Sequence, residues 1–311
     1  VRAVVLSLLL IACDRGHHEP PAPVPPSQPS QPAAPAAATT CTLAPLALRV
    51  PMPKRAVAIG DLHGDLNAAR AALRTAGAID ANDKWIGGDL TVIQTGDILD
   101  RGEGESKILD LFARLATDAQ ASGGQIIQLL GNHELMNAAH DFRYVTPGGA
   151  RDFGGDREHV LAPGGAWAKK LATHNVIAIV PTAGGDTVLS HAGVTAEWAT
   201  HLDEVNEHAR CWLAGEEGGA ETPTIALTAD DSPVWTRVWG TDPTDCTKLA
   251  DVLAKLGAKR MVVAHTPQKQ GITSACDGAL WRIDTGMASF YGGPIQVLEL
   301  GDPPKILTGT R

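Results

Sequence analysis

The sequence predicts an α/β fold with mixed sheets, and three observations carry that expectation. First, short apolar runs alternate with stretches of helical spacing in the first half of the chain. Strand, polar loop and helix succeed one another three times, which suggests parallel strands with crossover helices. Second, two closing runs, residues 280–284 and 295–300, have no helical stretch between them and read as strands of a second, largely antiparallel sheet. Third, neither an internal repeat nor a composition shift interrupts the chain after about Leu48, so residues 51–311 read as one domain.

The N-terminal elements have their own chemistry. Residues 1–12 are one basic residue followed by an apolar run, too short to span a bilayer but suited to the core of a signal peptide. Leu10-Ile11-Ala12-Cys13 resembles a bacterial lipoprotein signal, in which Cys13 becomes the lipidated mature N-terminus; the alternative is an ordinary signal peptide with a chance cysteine. Residues 19–35 are nearly all proline, alanine, serine and glutamine, a composition that favours extended, polyproline-like chain. Residues 13–50 are therefore expected to be a lipidation site and a disordered tether. The protein would be exported to the periplasmic side and held at the membrane through its lipid anchor only.

Composition narrows the partners. Hydrophobic content of 44% is ordinary for a globular protein, and a formal net charge of −9 argues against bulk nucleic-acid binding. Cys41, Cys211, Cys246 and Cys276 form no Cys-x-x-Cys pair, which argues against a thiolate zinc site. They could be free thiols or disulfides in any of three connectivities.

In chain order, residues 56–59 read as a buried strand and residues 66–73 as a helix. Between them lies Gly60-Asp61-Leu62-His63-Gly64-Asp65, at the carboxyl end of a strand, where open α/β sheets place ligands. On an extended backbone Asp61 and His63 would point the same way, and the two glycines would permit a tight turn. Residues 91–95 form the next strand and open onto Gly96-Asp97-Ile98-Leu99-Asp100-Arg101-Gly102; a helix with Ile108, Leu111, Phe112 and Leu115 at helical spacing follows. Residues 125–130 form the third strand and open onto Gly131-Asn132-His133-Glu134. Residues 136–163 are glycine-rich without periodicity, the mark of a functional or mobile stretch. Residues 166–173 read as a helix, and residues 176–180 and 186–190 as strands around Gly184-Gly185, the second running into His191. Helices are expected near residues 200–213 and 244–256, the latter stopped by Gly257, and a strand over 260–264 ends at His265.

Five apolar runs thus end in metal-competent residues: Asp61 with His63, Asp97, Asn132, His191 and His265. Oxygen and imidazole donors without sulfur suit Mn, Fe or Zn. Taken in order, these five motifs resemble the signature of the calcineurin-like metallophosphoesterases. Asp100-Arg101-Gly102 and Asn132-His133-Glu134 resemble the phosphoprotein phosphatase branch. Leu135-Met136-Asn137, Phe142-Arg143-Tyr144, Pro233-Val234-Trp235-Thr236-Arg237 and Asp284-Thr285-Gly286-Met287 further resemble the bacterial Shewanella-like phosphatases. Ala264 departs from the pattern, standing where many relatives carry glycine.

The resemblance implies a four-layer α/β/β/α sandwich with mixed sheets and a catalytic domain over residues 51–311. It implies two divalent metals, one held by Asp61, His63 and Asp97, the other by Asp97, Asn132, His191 and His265, with Asp97 bridging. Two cations roughly 3.5 to 4 Å apart can activate a bridging hydroxide for direct attack on phosphorus. His133 would donate the proton to the leaving oxygen, oriented by Asp100, or serve only as a hydrogen-bonding neighbour. Arg101 would clamp phosphate, with Arg237 as a second clamp. Arg143 and Tyr144 would line the substrate groove or be structural, and Trp235 and Trp239 would pack at the core or rim. The activity expected is hydrolysis of phosphomonoesters on phosphoproteins or phosphopeptides. The alternatives are a nucleotide or dinucleoside polyphosphate hydrolase and a non-catalytic lipoprotein that binds metal or phosphate.

Overall fold

Parallel pairing begins where the sequence places it. β1 (Arg55–Ile59) pairs with β2 (Leu90–Gln94), and β2 with β3 (Gln125–Gln128), both parallel, with Ile59 opposite Gln94 and Gln94 opposite Gln128. The crossovers are α1 (Leu66–Thr75) and α2 (Glu105–Ala121). Asp65 starts α1 by accepting from the N–H groups of Asn67 and Ala68, each at 3.0 Å, which satisfies two of the donors a helix start leaves over. The computed structural model describes residues 41–216, 223 and 229–311; the expected signal peptide, Cys13 and most of the expected tether lie outside the described residues.

The second sheet is built from β4 (Ile177–Val180), β5 (Thr187–Ser190), β6 (Arg260–Val263), β7 (Thr273–Ala275) and β8 (Leu280–Arg282). Its strand order is β4-β5-β6-β8-β7, with β5-β6 and β6-β8 parallel and the outer pairs antiparallel. The closing strands β9 (Gln296–Glu299) and β10 (Lys305–Thr308) return to the first sheet, whose order is β10-β9-β1-β2-β3. This corrects the expectation that residues 280–284 and 295–300 share a largely antiparallel sheet. They lie in different sheets, and both sheets are mixed. Periodicity reports which side of a strand is buried and is silent on its neighbour.

Side-chain alternation along β1 sorts the layers. Ala56 and Ala58 join Ile93, Leu129, Val180, Leu189, Val262 and Leu298 in a core shared by the two sheets. Val57 and Ile59 face the other way, into the cluster that holds Leu73 of α1 and Ile108, Phe112 and Leu115 of α2. On the second sheet Ile177, Val188 and Met261 share that outer cluster with Val205 of α6 (Leu202–Ala214) and Leu249 and Leu253 of α7 (Cys246–Leu256). The layers are helices, sheet, sheet, helices. Burying each such aliphatic side chain is worth roughly 1.5–3 kcal/mol.

Two further expectations are revised. Residues 41–50, assigned to the tether, are fastened to the domain: Cys41 is disulfide-bonded to Cys211 in α6, and residues 48–50 cover the edge of β4 through Ile179 N–H to Leu48 O (2.8 Å) and Val50 N–H to Ile179 O (3.0 Å). A covered edge is protected from pairing with other chains. The second disulfide, Cys246–Cys276, joins the start of α7 to the turn before β8. The glycine-rich stretch is also structured. It holds the end of α3 (Asn132–Ala138), 3₁₀ turns at Gly149–Arg151 and Phe153–Gly155, and α4 (Arg157–Leu161), before α5 (Ala166–Leu171). No helix among the described residues is long and apolar enough to cross a membrane.

Candidate active site

The loops that leave the carboxyl ends of β1, β2, β3, β5 and β6 meet at one rim. Backbone hydrogen bonds fix the first loop on the second: the N–H groups of Leu62 and His63 both donate to Asp97 O at 3.0 Å, and Gly64 N–H donates to Ile98 O at 2.7 Å. The third loop is fixed on the second by one buried carboxylate. Glu134 Oε2 accepts from Gly131 N–H (2.8 Å) and Asp97 N–H (2.9 Å), and Oε1 from Ile98 N–H (2.9 Å) and Leu99 N–H (3.1 Å). Only glycine fits at position 131, because a Cβ there would lie 2.2 Å from Asp97 Oδ1. The Asp61–His63 segment is not extended as expected. His63 turns with φ +41°, and Gly60 is required less for that turn than for close approach, since its Cβ would lie 2.5 Å from Ile283 O.

Backbone carbonyls set the tautomers of two imidazoles. His63 Nδ1–H donates to Leu99 O (3.0 Å), which turns the Nε2 lone pair toward Asp61 Oδ2 and Asp97 Oδ2, each at 3.8 Å. His191 Nδ1–H donates to Thr95 O (3.0 Å), a bond from the second sheet to the first. Its Nε2 then faces Asn132 Oδ1 (3.0 Å), His265 Nδ1 (3.1 Å) and Asp97 Oδ2 (3.2 Å). Asn132 points its oxygen inward because its Nδ2 donates to Met136 Sδ. This orientation of a ring by a hydrogen bond at its far nitrogen is what metal-binding histidines require.

The electrostatics fit cations. Burial pushes His63 down to about 4, and burial together with His191 and Arg237 pushes His265 down to about 2, so both rings are neutral near pH 7, the form a metal ligand needs. Burial would raise Asp97, but the facing rings of His191, His133 and His63 outweigh it and hold that carboxyl well below its ordinary value. Asp61 is held well above its ordinary value by burial and by the charges of Asp284 and Asp97. Lone pairs of carboxylate, carboxamide and imidazole thus face one another at short range, and His265 Nε2 is buried without a hydrogen-bond partner. Such a set is mutually repulsive until divalent ions sit among it. Two groups have ligand atoms within 4.8 Å of one another, His63 with Asp97 and His133, and Asp97 with His191 and His265. Asp97 is common to both.

His133 enters the first group by position, and it faces two carboxylates, those of Asp100 and Asp97. Its Nδ1 contacts Asp100 Oδ2 at 2.5 Å, and its Nε2 lies 3.7 Å from Asp97 Oδ2 and 3.3 Å from Arg101 Nη2. Burial lowers its pKa, but Asp97 and Asp100 more than compensate and hold the ring above its ordinary value. An imidazolium donates protons and does not ligate. The Arg101 guanidinium carbon lies 4.7 Å from the Tyr144 ring, 5.2 Å from Tyr291 and 5.5 Å from Phe290. Arg237 lies on the far side, exposed, with Nη1 donating to His265 O (3.3 Å) and Thr266 Oγ1 (3.1 Å).

Sequence reasoning gave no role to Glu134, Asp284, Phe290 or Tyr291. Asp284 follows β8 as Asp97 follows β2, so the pattern of an apolar run ending in an acid could have found it. Its carboxyl is raised by burial to about 6, and it faces the side chain of Asp61. Glu134 is at the third helical position of α3, where an acid commonly bonds back to the start of its helix. Nothing local marks Phe290 and Tyr291. Trp239 is core, donating through Nε1 to Val194 O (2.9 Å), and Trp235 packs beside His265 with ring centroids 6.0 Å apart.

A model of the calcineurin-like phosphoesterase family matches residues 54–269, a span that includes all five loops with candidate metal ligands. The chain belongs to this family, whose members are metal-dependent hydrolases of phosphoesters. Within it, the chain is 36% identical to Shewanella-like protein phosphatase 2 of Arabidopsis thaliana over 306 residues, covering 82% of this chain and 77% of that protein. It is 28% identical to Shewanella-like protein phosphatase 1 of Plasmodium berghei (strain Anka), covering 76% and 69%. In fold it is similar to a cold-active protein-tyrosine phosphatase of a psychrophilic Shewanella species, with a TM-score of 0.71 at 22% identity over 85% of this chain and 83% of that one.

Proposed function

We propose that this chain is a two-metal phosphatase acting on phosphomonoesters of proteins, exported and held at the membrane by lipid on Cys13. The observation that carries the reading of the site is that two metal-competent groups, His63 with Asp97 and His133 and Asp97 with His191 and His265, share Asp97, while His133 is also bonded to Asp100 and stands beside Arg101. Asp61, His63 and Asp97 would hold one ion, and Asp97, Asn132, His191 and His265 the other, with Mn, Fe or Zn suited to these donors. Bound there, two divalent ions supply Lewis acidity that activates an attacking water and neutralises phosphate charge.

The remaining steps belong to the protein. Arg101 binds two phosphate oxygens through its planar fork, which the rings of Tyr144 and Tyr291 flank. A phosphate so held lies within reach of His133 Nε2, which gives its proton to the departing oxygen while Asp100 keeps hold of Nδ1–H. Burial of both partners keeps bulk water from competing for that proton. Arg237, at the opposite rim, supplies a second positive charge to the substrate. The export reading is supported by the apolar run before Cys13.

The test is a panel of phosphopeptides, aryl phosphates and nucleotides assayed with added Mn. Turnover of phosphopeptides and aryl phosphates above that of nucleotides is expected. Preference for nucleotides or dinucleoside polyphosphates would replace the proposal with the nucleotide reading, and binding without turnover would leave a metal- or phosphate-binding lipoprotein.

A further inference from the structure

Behind the proton donor lies a buried polar cluster in which Asp100 and Asn137 belong to motifs of the sequence and Arg157 and Glu105 do not. Arg157, the first residue of α4, is 5% exposed, and Asp100, Glu105 and Asn137 are fully buried around it. Its Nη2 donates to Asp100 Oδ1 (3.0 Å), its Nε to Asn137 Oδ1 (2.8 Å), and its Nη1 to Gly149 O (3.1 Å) and to Glu105 Oε2. Asn137, its oxygen thus taken, uses its Nδ2 to donate to Asp100 Oδ1 (2.9 Å) and His133 O (2.8 Å). Glu105 Oε1 accepts from the backbone N–H of Asp100 (2.9 Å). Both the side chain and the backbone of Asp100 are therefore anchored to one arginine–glutamate pair.

We infer that Arg157 is a positioning residue for the proton donor, a role that rests on the reading of His133 as the general acid. A carboxylate with a single partner swings about its Cβ–Cγ bond. Asp100 cannot, because Oδ1 is held by two donors that approach from the glycine-rich stretch while Oδ2 holds His133. Arginine is the residue that can do this: its rigid fork satisfies three side chains and a backbone carbonyl at fixed angles, and its charge sits between the two acidic side chains Asp100 and Glu105. Arg157 also lies 57 residues beyond Asp100 in the chain. It reaches the dyad from the stretch that carries Tyr144, whose carbonyl accepts from Arg101 N–H (3.1 Å) and whose neighbour Thr146 donates through Oγ1 to Gly102 O (3.0 Å). The same guanidinium thus holds Asp100 and, through Gly149 O, the segment that follows Tyr144.

The test is a double-mutant cycle between Arg157→Lys and His133→Asn, read with a phosphoserine peptide and with aryl phosphates of graded phenol acidity, metal content being measured in parallel. Lysine keeps the charge but has three N–H donors on one nitrogen against the four groups that the arginine fork holds. Arg157→Lys is expected to lower kcat on the peptide by ~10 to 10², the scale of a misplaced catalytic group, with less loss for acidic phenols and KM nearly unchanged. Both metals should remain. In the His133→Asn background the same change should cost almost nothing more, because its effect runs through a ring already gone. Asn137→Ser, which removes one donor to Asp100 and leaves the ion pair, should repeat the pattern more weakly and serves if Arg157→Lys does not fold. Equal fold-losses in both backgrounds, a rise in KM with kcat intact, or loss of metal would overturn the inference. Failure of the acid reading itself shows separately, as a His133→Asn loss independent of leaving group.

Discussion

Replacing His133 by asparagine separates binding from chemistry. The ring is 2% exposed, its Nδ1 is 2.5 Å from Asp100 Oδ2, and its Nε2 faces the space between Asp97 and Arg101. Asparagine is too short to carry a proton to where Nε2 stands. Loss of a positioned general acid lowers turnover by ~10² to 10⁴, equivalent to about 3 to 5 kcal/mol of barrier. The upper end is expected with a phosphoserine peptide, whose alkoxide must be protonated to leave, and the lower end or less with an aryl phosphate of an acidic phenol. Both metals and phosphate affinity should survive, since the proposed ligands and Arg101 are untouched. Asp100→Asn should show the same pattern more weakly. Its two oxygens now accept from His133 on one side and from Arg157 and Asn137 on the other. An amide offers one oxygen, so one side must face an NH₂ group, and the ring loses its charged partner or its alignment while remaining present. The assay is steady-state turnover of wild type and both variants over aryl phosphates of graded acidity, with elemental analysis of each. Equal loss on every substrate would refute proton donation, and loss of metal in His133→Asn would make His133 a ligand.

Asp97→Asn is expected to deplete both metals and Asn132→Ala mainly one, because only Asp97 is common to both groups; elemental analysis after gel filtration decides, and two tightly held ions in Asp97→Asn would refute bridging. Glu134→Gln should destabilise the protein by about 3 to 6 kcal/mol in urea unfolding, since an NH₂ would face two of the four backbone donors that the carboxylate now satisfies. Glu105 predicts a pH effect: burial raises it to about 7 from 4.5, so between those values the folded state holds a proton that the unfolded state has lost, and stability falls as pH rises through that window. Measured against Glu105→Gln, which does not titrate, wild type should lose up to about 3 kcal/mol from pH 4.5 to pH 7, and a pH-independent difference would refute the shift. Expressed in a bacterium, the protein should carry lipid on an N-terminal Cys13 by mass spectrometry; cleavage elsewhere would refute anchoring and leave export standing.

The strand ends proposed to bear the metal ligands are legible in the sequence for a physical reason. A buried strand must be apolar and a metal ligand must be polar, so the boundary between them shows as an abrupt change of composition at Asp61, Asp97, Asn132, His191 and His265. Partner choice leaves no such trace. Whether residues 295–300 pair with β1 or with β8 depends on how the excursion over residues 284–295 crosses the rim, and that excursion brings Phe290 and Tyr291 to Arg101. The attachment of residues 41–50 depends on the Cys41–Cys211 bridge, one of three connectivities that cysteine spacing allows. Arg157 is the least visible. It lies in a stretch without periodicity, and its use is set by three groups drawn from α2, α3 and the loop before them.

Backbone conformation at the site shows what holds these loops in place. Five of the ten non-glycine residues with positive φ among the described residues are His63, Asp97, Asp100, Arg101 and His265, each proposed for metal, phosphate or proton handling. Conformations of this kind cost about 1 to 3 kcal/mol apiece and persist only where surrounding structure over-determines them. Three of the five lie between residues 97 and 101, and that loop is held from both ends. Glu134 takes three of its backbone N–H groups, and the Arg157–Glu105 pair takes the N–H and carboxylate of Asp100. The two anchors are carboxylates from different helices, α3 and α2, and neither reaches the substrate space. A motif read as Asp-x-x-Asp-Arg-Gly therefore names the residues that act, while the geometry in which they act is imposed by Glu134, Glu105 and Arg157. Loosening the Arg157–Glu105 anchor should swing Asp100 and Arg101 away from His133 while the proposed metal ligands stay in place, whereas loosening Glu134 should also release Asp97, whose backbone N–H it holds.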